Sequence, residues 1–155
     1  MRQCAGMLAL VLAFCSCTNA ASVSKLPDVR LPTLGGPLGP SLSKCSTEKC
    51  LTVIVAPWCG VCHSVRPDVV LLRRYLDTTG ISSRVVVGLD NLEKIKSFAA
   101  EFGSDSLLDV EGVVPVRGVP LFLVTNRQGA ILKRVDGFPR GAASMKDLAA
   151  FFGLP

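Results

Sequence analysis

The stretch Leu51-Thr52-Val53-Ile54-Val55-Ala56-Pro57-Trp58-Cys59-Gly60-Val61-Cys62-His63 decides how this chain is read. It begins with a run of β-branched and apolar residues, Leu51 to Val55, the composition of a buried strand. An apolar segment of helical length follows, Ser64 to Leu76. The spacing predicts a helix over Trp58 to Tyr75 with a bend at Pro67, turning Val61, Val65, Val69, Leu72 and Leu76 toward a sheet. Two cysteines with two residues between them therefore stand at the joint between strand and helix. Cys59 falls at the helix N-terminus, where unpaired N–H groups and the helix dipole favour a thiolate over a thiol. Cys62 falls one turn further in, close enough to close a disulfide. A lowered pKa makes Cys59 a better populated nucleophile and a better leaving group in disulfide exchange.

Outward from this joint the chain is similar to a known family. Trp58-Cys59-Gly60-Val61-Cys62 resembles the Trp-Cys-Gly-x-Cys motif of thioredoxin-like proteins. Pro67 stands five residues after Cys62, where thioredoxins carry the proline that kinks the active-site helix. Val116-Arg117-Gly118-Val119-Pro120 resembles the segment leading into the family's cis-proline. The resemblance covers Leu51 to Phe152. It implies an α/β, thioredoxin-like fold: a mixed central sheet with helices on both faces, here with a reduced N-terminal region. It also implies roles. Cys59 is the exposed nucleophile and Cys62 the shielded, resolving thiol. Gly60 and Val61 are the spacer that tunes the reduction potential, in which thioredoxin itself has proline at the Val61 position. Pro120 packs against the dithiol and keeps metals off it. The Val119 backbone pairs with the substrate chain, and Trp58 either lines the substrate surface or packs.

The chain departs from the family at one position of consequence. Thioredoxins carry a buried carboxylate six residues before the nucleophile, where it assists proton transfer at the second cysteine. Val53 stands there, and neither Glu48 nor Asp68 occupies that strand position.

The 155 residues amount to one domain with a terminal extension. A net charge of +5, spread along the chain, gives no footprint for nucleic acid. Residues 1–20 read as an export signal: a basic start at Arg2, then an apolar core from Met7 to Phe14 too short to span a bilayer. Two processing readings compete. Thr18-Asn19-Ala20 offers a small-residue cleavage site, whereas Phe14-Cys15-Ser16-Cys17 resembles a loose bacterial lipobox with Cys17 lipidated. Either one sends the protein out of the cytoplasm, to the periplasm or to a lipid anchor on a bacterial membrane. A retained membrane anchor is the third reading.

Of seven cysteines, Cys45, Cys50, Cys59 and Cys62 lie beyond the signal, an even number in a compartment where disulfides persist. Cys50 and Cys59 are separated by mostly extended chain, nearly 30 Å at about 3.3 Å per residue. Direct exchange between them, or one zinc site built from all four, is therefore disfavoured. The simplest role for Cys45 and Cys50 is a structural disulfide closing a small loop; a redox relay is the alternative.

Residues 21–44, rich in Pro, Gly, Ser and Leu, read as a linker with a short edge strand near Val29 to Leu31. The remainder of the chain, 45–155, is the domain. Ser83 to Leu89 reads as a buried strand. Asp90, with Glu93 in a capping box, starts a helix whose stripe is Leu92, Ile95, Ala99 and Phe102, stopped by Gly103. Ser104 to Pro115 reads as a surface loop or a structured insertion. Pro120 to Thr125 and Ala130 to Val135 form a hairpin about Asn126-Arg127-Gln128-Gly129. Ser144 and Asp147 cap a last helix with Leu148, Ala149, Phe151 and Phe152 toward the core.

His63 supplies the main rival to a redox dithiol. Cys59-Gly60-Val61-Cys62-His63 also fits a Cys-x-x-Cys-His haem attachment sequence, with Met145 as a distal ligand. A copper-handling module with Cys59, Cys62 and His63 as soft ligands is a further alternative, and a thioredoxin-fold binding module without turnover a fourth. In the preferred reading His63 modulates the Cys59 thiolate, and no metal or other cofactor is required. The expectation is an exported, monomeric thiol–disulfide oxidoreductase acting on protein thiols, a reductant before an oxidant. A membrane or soluble redox partner recycles it.

Overall fold

The computed structural model describes residues 25–155. The export signal at 1–20, both processing readings and Cys17 lie outside the described residues.

The elements run β1 Lys49–Val55, α1 Gly60–Thr78, β2 Ser82–Gly88, α2 Leu92–Ala99, β3 Leu107–Asp109, β4 Leu121–Asn126, β5 Ile131–Asp136 and α3 Met145–Phe151. The strands form one mixed sheet in the order β3-β2-β1-β4-β5. β1 pairs in parallel with β2 and β2 with β3, while β1–β4 and β4–β5 are antiparallel. β1 is central because almost every one of its side chains can be buried on one face or the other. Val53, for example, lies between Val85 of β2 and Phe122 of β4.

The strand period of two sorts these residues into two cores. Leu51, Val53, Val55, Val85, Val87, Phe122 and Val124 point to one face, together with the buried side chains of all three helices. Ile54, Val86, Leu107, Leu121 and Leu123 point to the other, where they meet Leu26, Leu31 and Leu42. The mixed sheet is as the sequence implies; the layering differs from helices on both faces. Right-handed crossovers from β1 to β2 and from β2 to β3 step the same way across the sheet, so α1 and α2 fall on one side.

The opposite face is closed by the supposed linker. Residues 25–44 bury three leucines and make isolated bridges, Lys25 with Ala130 and Thr33 with Leu107. In place of an edge strand at Val29 to Leu31, Pro32 bridges Leu38. Arg84 fixes the segment's end. Its guanidinium, on a residue 8% exposed, donates to the carbonyls of Ser41, Leu42 and Lys44 and to Thr52 Oγ1. Burial pushes it down to about 10, so it stays charged at neutral pH.

Other differences are local. Ser104 to Pro115 is no plain loop, since Leu107–Asp109 adds the edge strand β3. A Cβ at Gly88 would come within 2.8 Å of the Asp109 carbonyl, so the close β2–β3 approach needs glycine there. The cap of α2 is Asn91, whose side chain accepts the Lys94 N–H at 3.1 Å; Asp90 instead accepts the Asn91 N–H. Val61 is 52% exposed, because the buried stripe of α1 is Cys62, Val65, Val69, Leu72 and Leu76. Leu92 and Phe151 also face outward, while Phe98 joins the core and Phe152 stacks on Phe122. Two adjacent aromatic residues on one helix cannot share a face.

Candidate functional site

Parallel pairing places the carboxyl ends of β1, β2 and β3 on one edge of the sheet, and the Ile54–Leu121 pair brings the start of β4 to the same edge. Residues 56–63, 89–92, 110–116 and 117–120 therefore emerge together. This edge gathers the candidate residues.

Cys59 is the N-cap of α1. It has extended backbone angles, and its sulfur accepts the Cys62 N–H at 3.1 Å. The helix is held to that start by its apolar stripe, each such side chain contributing about 1.5–3 kcal/mol on burial. The sulfur thus occupies the place a capping oxygen takes in other helices, satisfying one of the unpaired donors. Cys59 and Cys62 are disulfide-bonded, with Cα atoms 5.2 Å apart. Cys62 is fully buried among the core residues shared by α1 and β1.

From the other side comes the segment before β4. The Val119–Pro120 peptide is cis, and the Val119 carbonyl oxygen lies 3.4 Å from the Cys59 sulfur. Pro120 is buried, and its carbonyl accepts the Gly137 N–H. Cys59 itself is only 5% exposed, against the expectation of an exposed nucleophile. Its sulfur turns inward to the Cys62 N–H and toward Val119, and the exposed surface belongs to Trp58, Gly60 and Val61.

Trp58 is 61% exposed, yet its indole N–H donates to the Leu89 carbonyl at 2.8 Å. Leu89 adopts the left-handed backbone region at φ 64°, uncommon for a residue with a Cβ. Nothing in the sequence marks this leucine; only the fold reveals it. His63 Nε2 donates to the Pro57 carbonyl at 2.7 Å, and the ring packs on Phe98. Met145 lies at the start of α3, partly buried against the core.

Val53 is fully buried in the same core as both cysteines, so the strand position that carries the family's acid is apolar here. Asp109 is the buried carboxylate among the described residues, and its two oxygens accept the N–H groups of Val113 and Val114. Those bonds shape the 110–114 turn. Among the described residues no group of three metal-ligating side chains is gathered, and no helix is long and apolar enough to cross a membrane.

Cys45 and Cys50, joined by a second disulfide with Cα atoms 5.7 Å apart, sit at the opposite end of β1. The structure does not bring them to the site.

No family model matches the chain, and no curated protein matches its sequence. Solved structures do match its fold. A Chlorobium tepidum protein proposed to be the thiol:disulfide interchange protein DsbE aligns at 25% identity with a TM-score of 0.63, over 83% of this chain and 91% of that one. The exposed lipoprotein thioredoxin Etrx1 of Streptococcus pneumoniae aligns at 18% identity and TM-score 0.64, over 82% and 98%. A secreted Mycobacterium tuberculosis disulfide oxidoreductase homologous to Escherichia coli DsbE aligns at 19% and 0.61, over 79% and 96%. The fold of this chain is the thioredoxin-like fold.

Proposed function

We propose that the protein is a thiol–disulfide oxidoreductase using Cys59 and Cys62 as its redox pair. The observation that carries this reading is the Cys59 sulfur at the N-cap of α1, 3.1 Å from the Cys62 N–H and 3.4 Å from the Val119 carbonyl oxygen.

In the reducing direction the Cys59 thiolate attacks one sulfur of a substrate disulfide. A mixed disulfide forms and the first substrate thiolate leaves, taking a proton from solvent. The Cys62 thiol then loses its proton and attacks the Cys59 sulfur. The mixed disulfide breaks, the second substrate thiol departs, and the Cys59–Cys62 bond seen here remains. Two electrons have passed to the substrate, and a dithiol donor must return them. The N–H groups of the first turn stabilise the Cys59 sulfur as an anion, both as nucleophile and as leaving group.

Pro120 and the Val119 backbone flank the sulfur and supply an edge for an extended substrate chain, and Trp58 supplies an exposed aromatic face. Gly60 and Val61 set the loop length that tunes the potential; every 30 mV in a two-electron couple is worth about 1.4 kcal/mol. With Val53 in place of an acid, proton release from Cys62 is left to solvent or to the exchanging thiols. We assign the protein to the exported compartment, as a reductant of protein disulfides. The apolar start of the chain supports the exported compartment, as does its likeness to a secreted and to an exposed bacterial protein.

The test is turnover of a model protein disulfide by wild type and by Cys59→Ser. Loss of at least a thousandfold is expected, on the scale of removing a nucleophile. Equal rates would remove Cys59 from the chemistry.

A further inference from the structure

We propose that His63 is a positioning residue: its ring is a strut that holds the Pro57–Trp58 turn, and its charge is not what the site uses. The inference rests on the oxidoreductase reading and concerns how that site is kept in shape.

The strut has a fixed direction. A carbonyl can only accept, so the Nε2 atom 2.7 Å from the Pro57 oxygen carries the hydrogen. Protonation at Nδ1 leaves that bond in place. The ring is backed by the core: its centroid lies 4.4 Å from that of Phe98, which is 3% exposed and meets Phe102 edge-on at 5.2 Å. No hydrogen bond joins His63 to either sulfur; its backbone N–H goes to the Cys59 carbonyl.

A second tie faces the first. On the β2 side, Leu89 is turned into the left-handed region, and its carbonyl accepts the Trp58 indole N–H at 2.8 Å. Strained backbone of this kind collects at functional sites, where the surrounding structure enforces it. Pro57 and Trp58 are thus gripped from α1 by His63 and from β2 by Leu89. These two residues immediately precede the nucleophile and include its exposed aromatic neighbour. Pro57 has no N–H of its own to fasten the turn. Held at both ends, the turn presents Trp58 and sets the Cys59 sulfur against Val119.

The experiment compares His63→Gln, which keeps an N–H donor near the position of Nε2, with His63→Phe, which keeps a ring on Phe98 and loses the donor. Trp58 is the single tryptophan of the chain, so its fluorescence anisotropy reports the turn directly. His63→Gln is expected to stay within about twofold of wild type in kcat/KM, with a superimposable pH profile through the range where histidine titrates. For His63→Phe the expected loss is about tenfold in kcat/KM, the scale of one hydrogen bond, mostly as a raised KM. Its Trp58 anisotropy should fall while the melting temperature stays near wild type. Equal losses in both variants, or a step in the wild-type profile missing from His63→Gln, would assign the role to charge and overturn the strut. An unaltered His63→Phe would overturn it too. Should wild type turn over no disulfide, the oxidoreductase reading fails by itself. Anisotropy then decides the strut: a drop in His63→Phe alone supports it, and equal values in the three proteins overturn it.

Discussion

The two ends of β1 carry the same chemical device in different surroundings. At its start Cys45–Cys50 closes a short loop; beyond its end Cys59–Cys62 closes a shorter one. Exposure does not separate them, since Cys59 is 5% and Cys45 9% exposed. What separates them is what each sulfur meets. The Cys59 sulfur faces a helix N-terminus, the Val119 carbonyl and a rim of exposed residues. Beside Cys45, the preceding residues 41–44 are clamped by Arg84 and packed against the Gly129 turn, where a Cβ would come within 2.5 Å of the Ser43 backbone. A disulfide reacts when one of its sulfurs can be approached and its thiolate stabilised. On the proposed function, the pair at the start of β1 is scaffold and the pair beyond its end is machinery.

This contrast can be broken most forcefully at Arg84. Arg84→Ala leaves the buried Leu42 carbonyl and the part-buried Lys44 carbonyl without their guanidinium donor and Ser41 with the Lys44 N–H alone, and a loss of about 3 kcal/mol in urea unfolding is expected. A loss under about 1 kcal/mol would show that the apolar contacts of Leu26, Leu31 and Leu42 hold the segment unaided.

Next comes the Cys45→Ser, Cys50→Ser double variant. Closing so small a loop is worth about 2 kcal/mol in the chain-entropy account. Stability should fall by that amount while turnover of a protein disulfide stays within about twofold of wild type. A collapse of turnover in a folded double variant would make the pair a relay and erase the difference between the two ends of β1.

The smallest effect sharpens the same end. Ser41 and Ser43 donate to Asp28, and these bonds hold its carboxyl below the usual range. The unfolded chain therefore takes up the proton first. The contribution of Asp28 is full above its unfolded pKa, near 3.8, and fades as pH falls through the lower folded value. Asp28→Asn should flatten the acid limb of melting temperature against pH slightly. An identical limb in both proteins would detach Asp28 from the anchoring of the segment.

Much of the site is legible locally. A buried strand running into an amphipathic helix, with two cysteines separated by two residues at the joint, places a sulfur at a helix N-terminus from chain geometry alone. The stripe from Val65 to Leu76 and the Ser144 cap are visible for the same reason: their periodicity and capping chemistry act within a few residues. Val61 and Phe151 show the limit. Their spacing is helical and their side chains apolar, but each lies beside the residue, Cys62 or Phe152, that the packed helix turns inward.

The sequence by itself determined the dithiol, its place at the strand–helix joint, the Gly-Val-Pro segment and the apolar residue where the family has an acid. These are properties of composition and short spacing. Only the tertiary structure decided which layer closes the second face of the sheet, that residues 107–109 add an edge strand, and that Leu89 and His63 grip the turn before Cys59. Each of these joins residues distant in the chain or depends on one backbone torsion. Such contacts form because the whole chain buries its apolar surface at once, and no local pattern records them.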